Sequence, residues 1–193
     1  AASTDTALVR SLTGMRVPSL EGWLYPETYY FDLASTPQSI LSQMTRQFFS
    51  KLANAGVKPD SLPDFYRRLI LASIVEKESA HPDERDTIAG VFQNRLDKGI
   101  NLQSCATVDY LLETRGIKRK VLSFNDIREQ SPYNTYQNKG LPPGPICNPS
   151  LGSILAALQP ARTNYLYFVA DRKGRNDFSA TGEEHFAKIR KYK

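Results

Sequence analysis

The chain has 193 residues, 40% of them hydrophobic, and a formal net charge of +5. That length allows one domain with a sizeable core, and no apolar run reaches the length of a membrane span. Lys and Arg are scattered, with short clusters only in "GIKRK" and "KIRKYK". This argues against the continuous basic face of a nucleic-acid binder and suits solubility or attraction to an anionic polymer.

His81 and His185 are too isolated for a zinc site, and no phosphate-cradling glycine motif appears, so no metal or cofactor is expected. Cys105 and Cys147 match no metal spacing. They could be two free thiols or one bridge, the latter only in an oxidising compartment. The opening "AASTDTA" is polar and shows no signal-peptide pattern, and residues 1–18 read as linker-like. One domain over 1–193 is expected, as a fragment of a longer protein.

In chain order, "SLEGWLYPETYYFD" is aromatic and interrupted by Pro26, which predicts a strand or edge segment. "STPQSILSQMTRQFFSKLANAG" predicts an amphipathic helix. Thr36 is its N-cap, Pro37 its first residue, Gly56 its stop, and Ile40, Leu41, Met44, Phe48 and Leu52 its apolar stripe. "DSLPDFYRRLILASIVEKESA" predicts a buried helix opened by a capping box from Ser61 to Asp64, with Pro63 in its first turn. "HPDERDTIAGVFQNRLDKG" begins another, with Ile88, Val91, Phe92 and Leu96 on one face and Gly99 at its end. "INLQSCATVDYLLETRG" reads as extended and then helical, and "SPYNTYQNKGLPPGPICNPS" as a long loop of the kind that carries function. A short helix over "SLGSILAALQP", a hairpin turning at Lys173–Gly174 and a closing helix complete an α+β class with few strands.

The pair Glu76 and Glu78 ends the buried helix. Residues two apart on a helix point about 200° apart, so the two acids face different ways. Glu78 stands above Leu71, Ile74 and Val75, which places it at the edge of the core. A carboxyl against apolar walls loses hydration, holds its proton nearer neutrality and can give it to a leaving oxygen. The competing reading is two solvated acids beside Lys77 and Arg85.

The strings "LEGWLYPETYYF", "IVEKESA", "ERDTIAGVFQNRL", "LQSCATVDY", "YNTYQNKGLPPGPICNPS" and "YLYFVAD" resemble the MltG/YceG family of endolytic murein transglycosylases, in family order and over most of the chain. The resemblance implies that Glu78, the second Glu of the E-K-E-[ST] string, is catalytic. It also implies cleavage of the β-1,4 bond between N-acetylmuramic acid and N-acetylglucosamine in peptidoglycan strands, leaving a 1,6-anhydro sugar. Glu78 would act as acid and then as base. Glu78–Ser79 is similar to a pairing found in other lytic transglycosylase families. The resemblance also implies a tether to the cytoplasmic membrane by an N-terminal helix outside this sequence. The expected setting is therefore the bacterial cell envelope, at the extracytoplasmic face, with peptidoglycan synthases as further partners.

Sugars present apolar C–H faces rimmed by hydroxyls, so aromatic rings and side-chain amides are the contacts to look for. The matched strings nominate Tyr133, Asn134, Thr135, Tyr136, Pro143, Asn148, Ser79, Asn94 and Gln103 for substrate contact. For Asn94 the alternative is a buried amide bracing two helices, and for the loop residues turn formation and packing. His185 reads as a packing residue rather than a base. Many relatives carry an acid where this chain has Cys105. Since Cys105 and Cys147 both fall in strings the resemblance puts at the cleft, they are candidates for a bridge, with two free thiols as the alternative. The rival functions are a lysozyme-like hydrolase of the same polymer and a non-catalytic glycan-binding module. A pyridoxal-phosphate lyase is discounted for want of a phosphate-binding glycine cluster beside a lysine.

Overall fold

A computed structural model describes residues 2–192; Ala1 and Lys193, at the ends of the expected linker-like stretch and closing helix, lie outside the described residues. Among the described residues the α+β class holds. The helices are α1 (Thr6–Thr13), α2 (Pro37–Asn54), α3 (Phe65–Glu78), α4 (Arg85–Asp97), α5 (Cys105–Thr114), α6 (Leu151–Leu158) and α7 (Gly182–Tyr192). One antiparallel pair, β1 (Tyr167–Ala170) and β2 (Asn176–Ser179), forms the sheet. No helix among them is long and apolar enough to cross a membrane.

The first stretch is more ordered than its polar composition suggests. Asp5 accepts the N–H groups of Ala7 and Leu8, Gly14 closes α1 in the left-handed region, and Val9 is fully buried. Residues 6–13 therefore form a packed helix where a linker is expected. α2 starts as its sequence predicts, with the Ser39 N–H donating to Thr36 Oγ1 and Pro37 at the first position.

The segment expected as a strand is instead a turn and loop. Gly22 sits at φ +88°, the Trp23 N–H donates to the Leu20 carbonyl, and Gly22 and Leu24 both donate to Asn148 Oδ1. A side-chain amide has taken the place of a partner strand. A Cβ at Gly22 would lie 2.6 Å from Pro145 Cγ, so both the conformation and the close approach require glycine. The loop delivers Trp23 into an aromatic cluster, with ring centroids 5.4 Å from Phe48 and 5.8 Å from Phe65. This cluster holds the ends of α2 and α3 together.

α3 runs through the core, and every residue from Leu69 to Val75 is buried. It packs against α6, α4 and α5. The capping box expected at its start does not form. Pro63 precedes the helix, Ser61 Oγ donates to the Lys58 carbonyl, and Asp64 makes no capping bond. After a 3-10 turn at Pro82–Glu84, α4 buries Ile88, Val91 and Phe92. The hairpin pairs Tyr167 with Ser179 and Ala170 with Asn176, turning through Gly174 at φ +78°. It is latched to the start of α4 by the buried Glu84 carboxylate, which accepts Asn176 Nδ2 at 2.8 Å and Arg175 Nη1 at 3.2 Å. That latch fixes the hairpin against α4, with α7 packed on both strands, so that Tyr167 and His185 face Glu78 and Cys105 across one cavity.

Candidate active site

Glu76 and Glu78 leave α3 on different sides, and each meets the start of another helix. Glu76 Oε2 accepts Ser150 N at 3.1 Å, Ser150 Oγ at 2.6 Å and Ser153 Oγ at 2.5 Å, at the start of α6. Arg85 Nη2 lies 3.9 Å away. Burial works to raise its pKa, but the Ser150 and Ser153 bonds and the Arg85 charge hold the carboxyl below its ordinary range. Glu76 is an ionised structural acid.

Glu78 lies at the start of α5. Ser104, the N-cap residue, makes no side-chain bond to its own helix; its Oγ donates to Glu78 Oε1 at 2.5 Å. The Ala106 backbone N–H also bonds the carboxylate. Desolvation nevertheless wins and pushes the Glu78 pKa up, with the nearby Asp109 charge adding to the rise. Two opposed influences thus meet on one group. Burial favours the proton, while the Ser104 hydroxyl and the N-terminal end of α5 make the anion tolerable once the proton has gone.

The half-buried Glu78 opens on a cavity of about 330 Å³, whose other walls include Arg95, Gln103, Cys105, Tyr136 and Tyr167. Glu78 is the one carboxylate among its lining residues. Gln103 holds a left-handed φ of +54°, the one non-glycine residue with positive φ among the described residues. Its Oε1 accepts Arg95 Nη2 at 2.7 Å, and its N–H donates to the Thr135 carbonyl. Strain at such a position persists only where surrounding contacts fix it, and these two do.

Of the residues nominated from sequence, Glu78, Gln103 and Tyr136 line this cavity together. Thr135 stands behind them. It is buried, its Oγ1 accepts the Ser104 N–H at 3.1 Å and lies 2.9 Å from Thr107 Oγ1, so it supports Ser104. Asn134 is fully buried and clamps its own loop, donating to the Ile127 and Glu129 carbonyls. Asn94 donates to the Thr163 and Tyr165 carbonyls at 2.9 Å; it ties α4 to the segment before β1, not helix to helix. Ser79 turns its hydroxyl to the His81 carbonyl. Tyr133 packs on Tyr110 with centroids 5.0 Å apart, Pro143 is exposed outside the cavity, and Asn148 holds the Gly22 loop. Asn134, Thr135, Asn94, Ser79 and Asn148 thus carry hydrogen bonds within the fold, because a long loop must satisfy its own backbone groups.

Of the two alternatives for the cysteines, the free form is the one present: Cys105 and Cys147 are not bridged. Cys105 Sγ lies 3.0 Å from the Tyr136 hydroxyl, whereas Cys147 Sγ donates to the Ser73 carbonyl at 3.3 Å on the other side of α3. His185 packs as expected, stacked on Tyr167 at 5.1 Å, and burial pushes its pKa down. Sequence reasoning missed Ser104, Arg95 and Tyr167. Ser104 and Arg95 lay beside nominated residues in "LQSC" and "FQNRL", so the strings contained them.

Comparison with known proteins places the chain in a family. The chain is 38% identical over 176 residues to a Bacillus subtilis protein named endolytic murein transglycosylase, covering 90% of this chain and 48% of that protein. A Streptococcus pneumoniae protein of the same name is 35% identical over 171 residues, covering 86% and 31%. The chain therefore spans half or less of the length of these relatives. The crystal structure of a yceG-like protein from Listeria monocytogenes superposes with a TM-score of 0.83 at 36% identity, covering 97% of this chain and 65% of that one. The model of the YceG-like family matches residues 2–191, and the chain belongs to that family.

Proposed function

We propose that this chain is the catalytic part of an endolytic murein transglycosylase, acting on peptidoglycan strands in the cell envelope. The observation that carries the reading is the setting of Glu78: desolvated enough to hold a proton, yet seated on Ser104 and the start of α5. In the acid form Glu78 gives its proton to the β-1,4 glycosidic oxygen. The C1–O bond breaks and the N-acetylglucosamine end leaves as an alcohol. The Glu78 carboxylate then takes the proton of the C6 hydroxyl, whose oxygen closes on C1 of the same muramyl sugar. Glu78 ends protonated, as it began, and no water is consumed.

A hydrolase of this polymer uses two carboxyls across the bond, about 5 to 9.5 Å apart. A cavity with Glu78 as its one acid favours the internal hydroxyl over water. The proposed setting is the extracytoplasmic face of the cytoplasmic membrane, in company with the synthases that lay down new strands. Digestion of purified peptidoglycan followed by mass spectrometry tests the reading. The expected products carry anhydro-muramyl ends, one water lighter than hydrolysed ends, and Glu78→Gln yields none. Hydrolysed ends, or unchanged cleavage by Glu78→Gln, would overturn it.

A further inference from the structure

Arg95 is the charged group in this cavity that the reaction above leaves unused. It is 5% exposed. Nε and Nη2 both donate to the Asn101 carbonyl, at 2.9 and 2.7 Å; Nη2 also donates to Gln103 Oε1 at 2.7 Å, and Nη1 to the Leu166 carbonyl at 2.8 Å. Every one of these acceptors is neutral. Among the described residues no carboxylate comes within 4.0 Å of the guanidinium, and the Tyr167 ring covers it at 5.4 Å. Four of its N–H groups are used, so one on Nη1 remains for an acceptor brought from outside. A buried cation whose partners are all neutral keeps its net charge, and an anionic oxygen is the acceptor that relieves it best.

The glycan narrows the choice. Both sugars of the strand carry an acetamido group, so an acetamido oxygen cannot distinguish them. The 3-O-lactyl group is found on the muramyl sugar alone, and without its peptide it ends in a carboxylate. Resting on the reading of this cavity as the glycan site, we propose that Arg95 donates its remaining N–H to the lactyl oxygen of a muramyl sugar. The cavity is then a subsite that separates murein from plain β-1,4-N-acetylglucosamine chains. Its volume of about 330 Å³ lies at the lower end for ligand clefts and suits about one substituted ring. The lactyl oxygen comes in two forms, a free carboxylate on peptide-stripped strands and an amide carbonyl where the stem peptide remains.

Isothermal titration of Glu78→Gln, which binds without cutting, distinguishes them. The ligands are a tetrasaccharide of alternating N-acetylglucosamine and N-acetylmuramic acid, the same compound with lactyl carboxamides, and chitotetraose. The acid form is expected to bind about tenfold or more tighter than chitotetraose, as a charge-assisted bond commands, with the amide between them. Equal binding of acid and amide, both above chitotetraose, supports the subsite and assigns it to peptide-bearing strands. Equal binding of all three overturns it. Arg95→Gln on the same background removes the charge and should erase the preference; a folded Arg95→Gln protein that keeps it overturns the role of Arg95. Should that variant not fold, the acid-over-amide ranking still reads the charge. Absence of cleavage by the unmodified chain overturns the reading beneath, whereas cleavage without ligand preference overturns the subsite alone.

Discussion

Glu76 and Glu78, two residues apart at the end of α3, each seat a carboxylate on the start of a different helix, α6 for Glu76 and α5 for Glu78. Their surroundings push them in opposite directions, and folding stability should register the difference. Glu78 has a folded pKa above its ordinary value of 4.5, so the folded chain binds more protons than the unfolded one between those two values. Stability contributed by this group is present below 4.5 and lost as pH rises through the folded value. Glu76 has a folded pKa below 4.5, so its contribution is present above 4.5 and lost as pH falls through the folded value. At pH 7 Glu78→Gln should therefore be more stable than the unmodified chain, and Glu76→Gln less stable by about 1–3 kcal/mol. Both gaps should be smaller at pH 4 than at pH 7. Urea titrations at pH 4 and pH 7 measure them, and a destabilised Glu78→Gln at pH 7 would contradict the desolvation argued for the site.

Ser104 restrains the pKa that burial raises. Its hydroxyl bonds the ionised form of Glu78, so Ser104→Ala should raise the Glu78 pKa further. If the protonated acid starts the reaction, the alkaline limb of kcat/KM against pH moves to higher pH. The maximal rate should fall by roughly ten- to a hundredfold, since the carboxyl loses the contact that aims it. A purely structural role would lower activity at all pH values and leave the limb where it was. The pH profile separates the two.

Much of this was legible in the sequence, for reasons particular to each element. α2 and its Thr36 cap, the all-round apolar α3 and the hairpin at Gly174 follow from local periodicity and turn chemistry, which act over a few residues. The Gly22 loop was not legible, because its backbone donors are satisfied by Asn148, 126 residues away from Gly22. The α3 start was misread because Ser61 found a nearer acceptor at Lys58. The direction of Glu78 could be argued from helical phase. The work of Asn134 and Thr135 could not: an asparagine that clamps its own loop and one that touches a sugar are identical as letters. Arg95 shows the opposite failing, passed over because a lone arginine in a helix normally reaches solvent.

The two thiols should behave as separate groups. Cys105 is exposed at the cavity and Cys147 is half-buried against α3, where burial pushes its thiol up to about 12. Alkylation of the folded, unreduced chain with iodoacetamide should label Cys105 first and leave Cys147 until the protein is denatured. A label on Cys105, beside Glu78 and 3.0 Å from the Tyr136 hydroxyl, should also obstruct cleavage. Peptide mapping by mass spectrometry reads both outcomes; a reductant-dependent mass shift would instead mean that the thiols can pair.

Gln103 combines a left-handed backbone with a side chain that accepts from Arg95. The two features can be separated by two substitutions. Gln103→Ala and Gln103→Gly both remove one acceptor of Arg95 Nη2, leaving one of its buried N–H groups without a protein partner while the other keeps the Asn101 carbonyl. They differ in backbone: alanine retains the steric cost of positive φ, which glycine avoids at some expense in unfolded-state entropy. The glycine variant should therefore be the more stable of the pair by about 1 kcal/mol. Neither should match the unmodified chain in cleavage, because the same loop carries Ser104 and Cys105 into the cavity. Paired urea titrations and a single rate comparison suffice. Equal stability of the two variants would mean that residue 103 relaxes out of the left-handed region once its bond to Arg95 is gone, so that Arg95 rather than the chain's own packing holds this wall of the cavity in place.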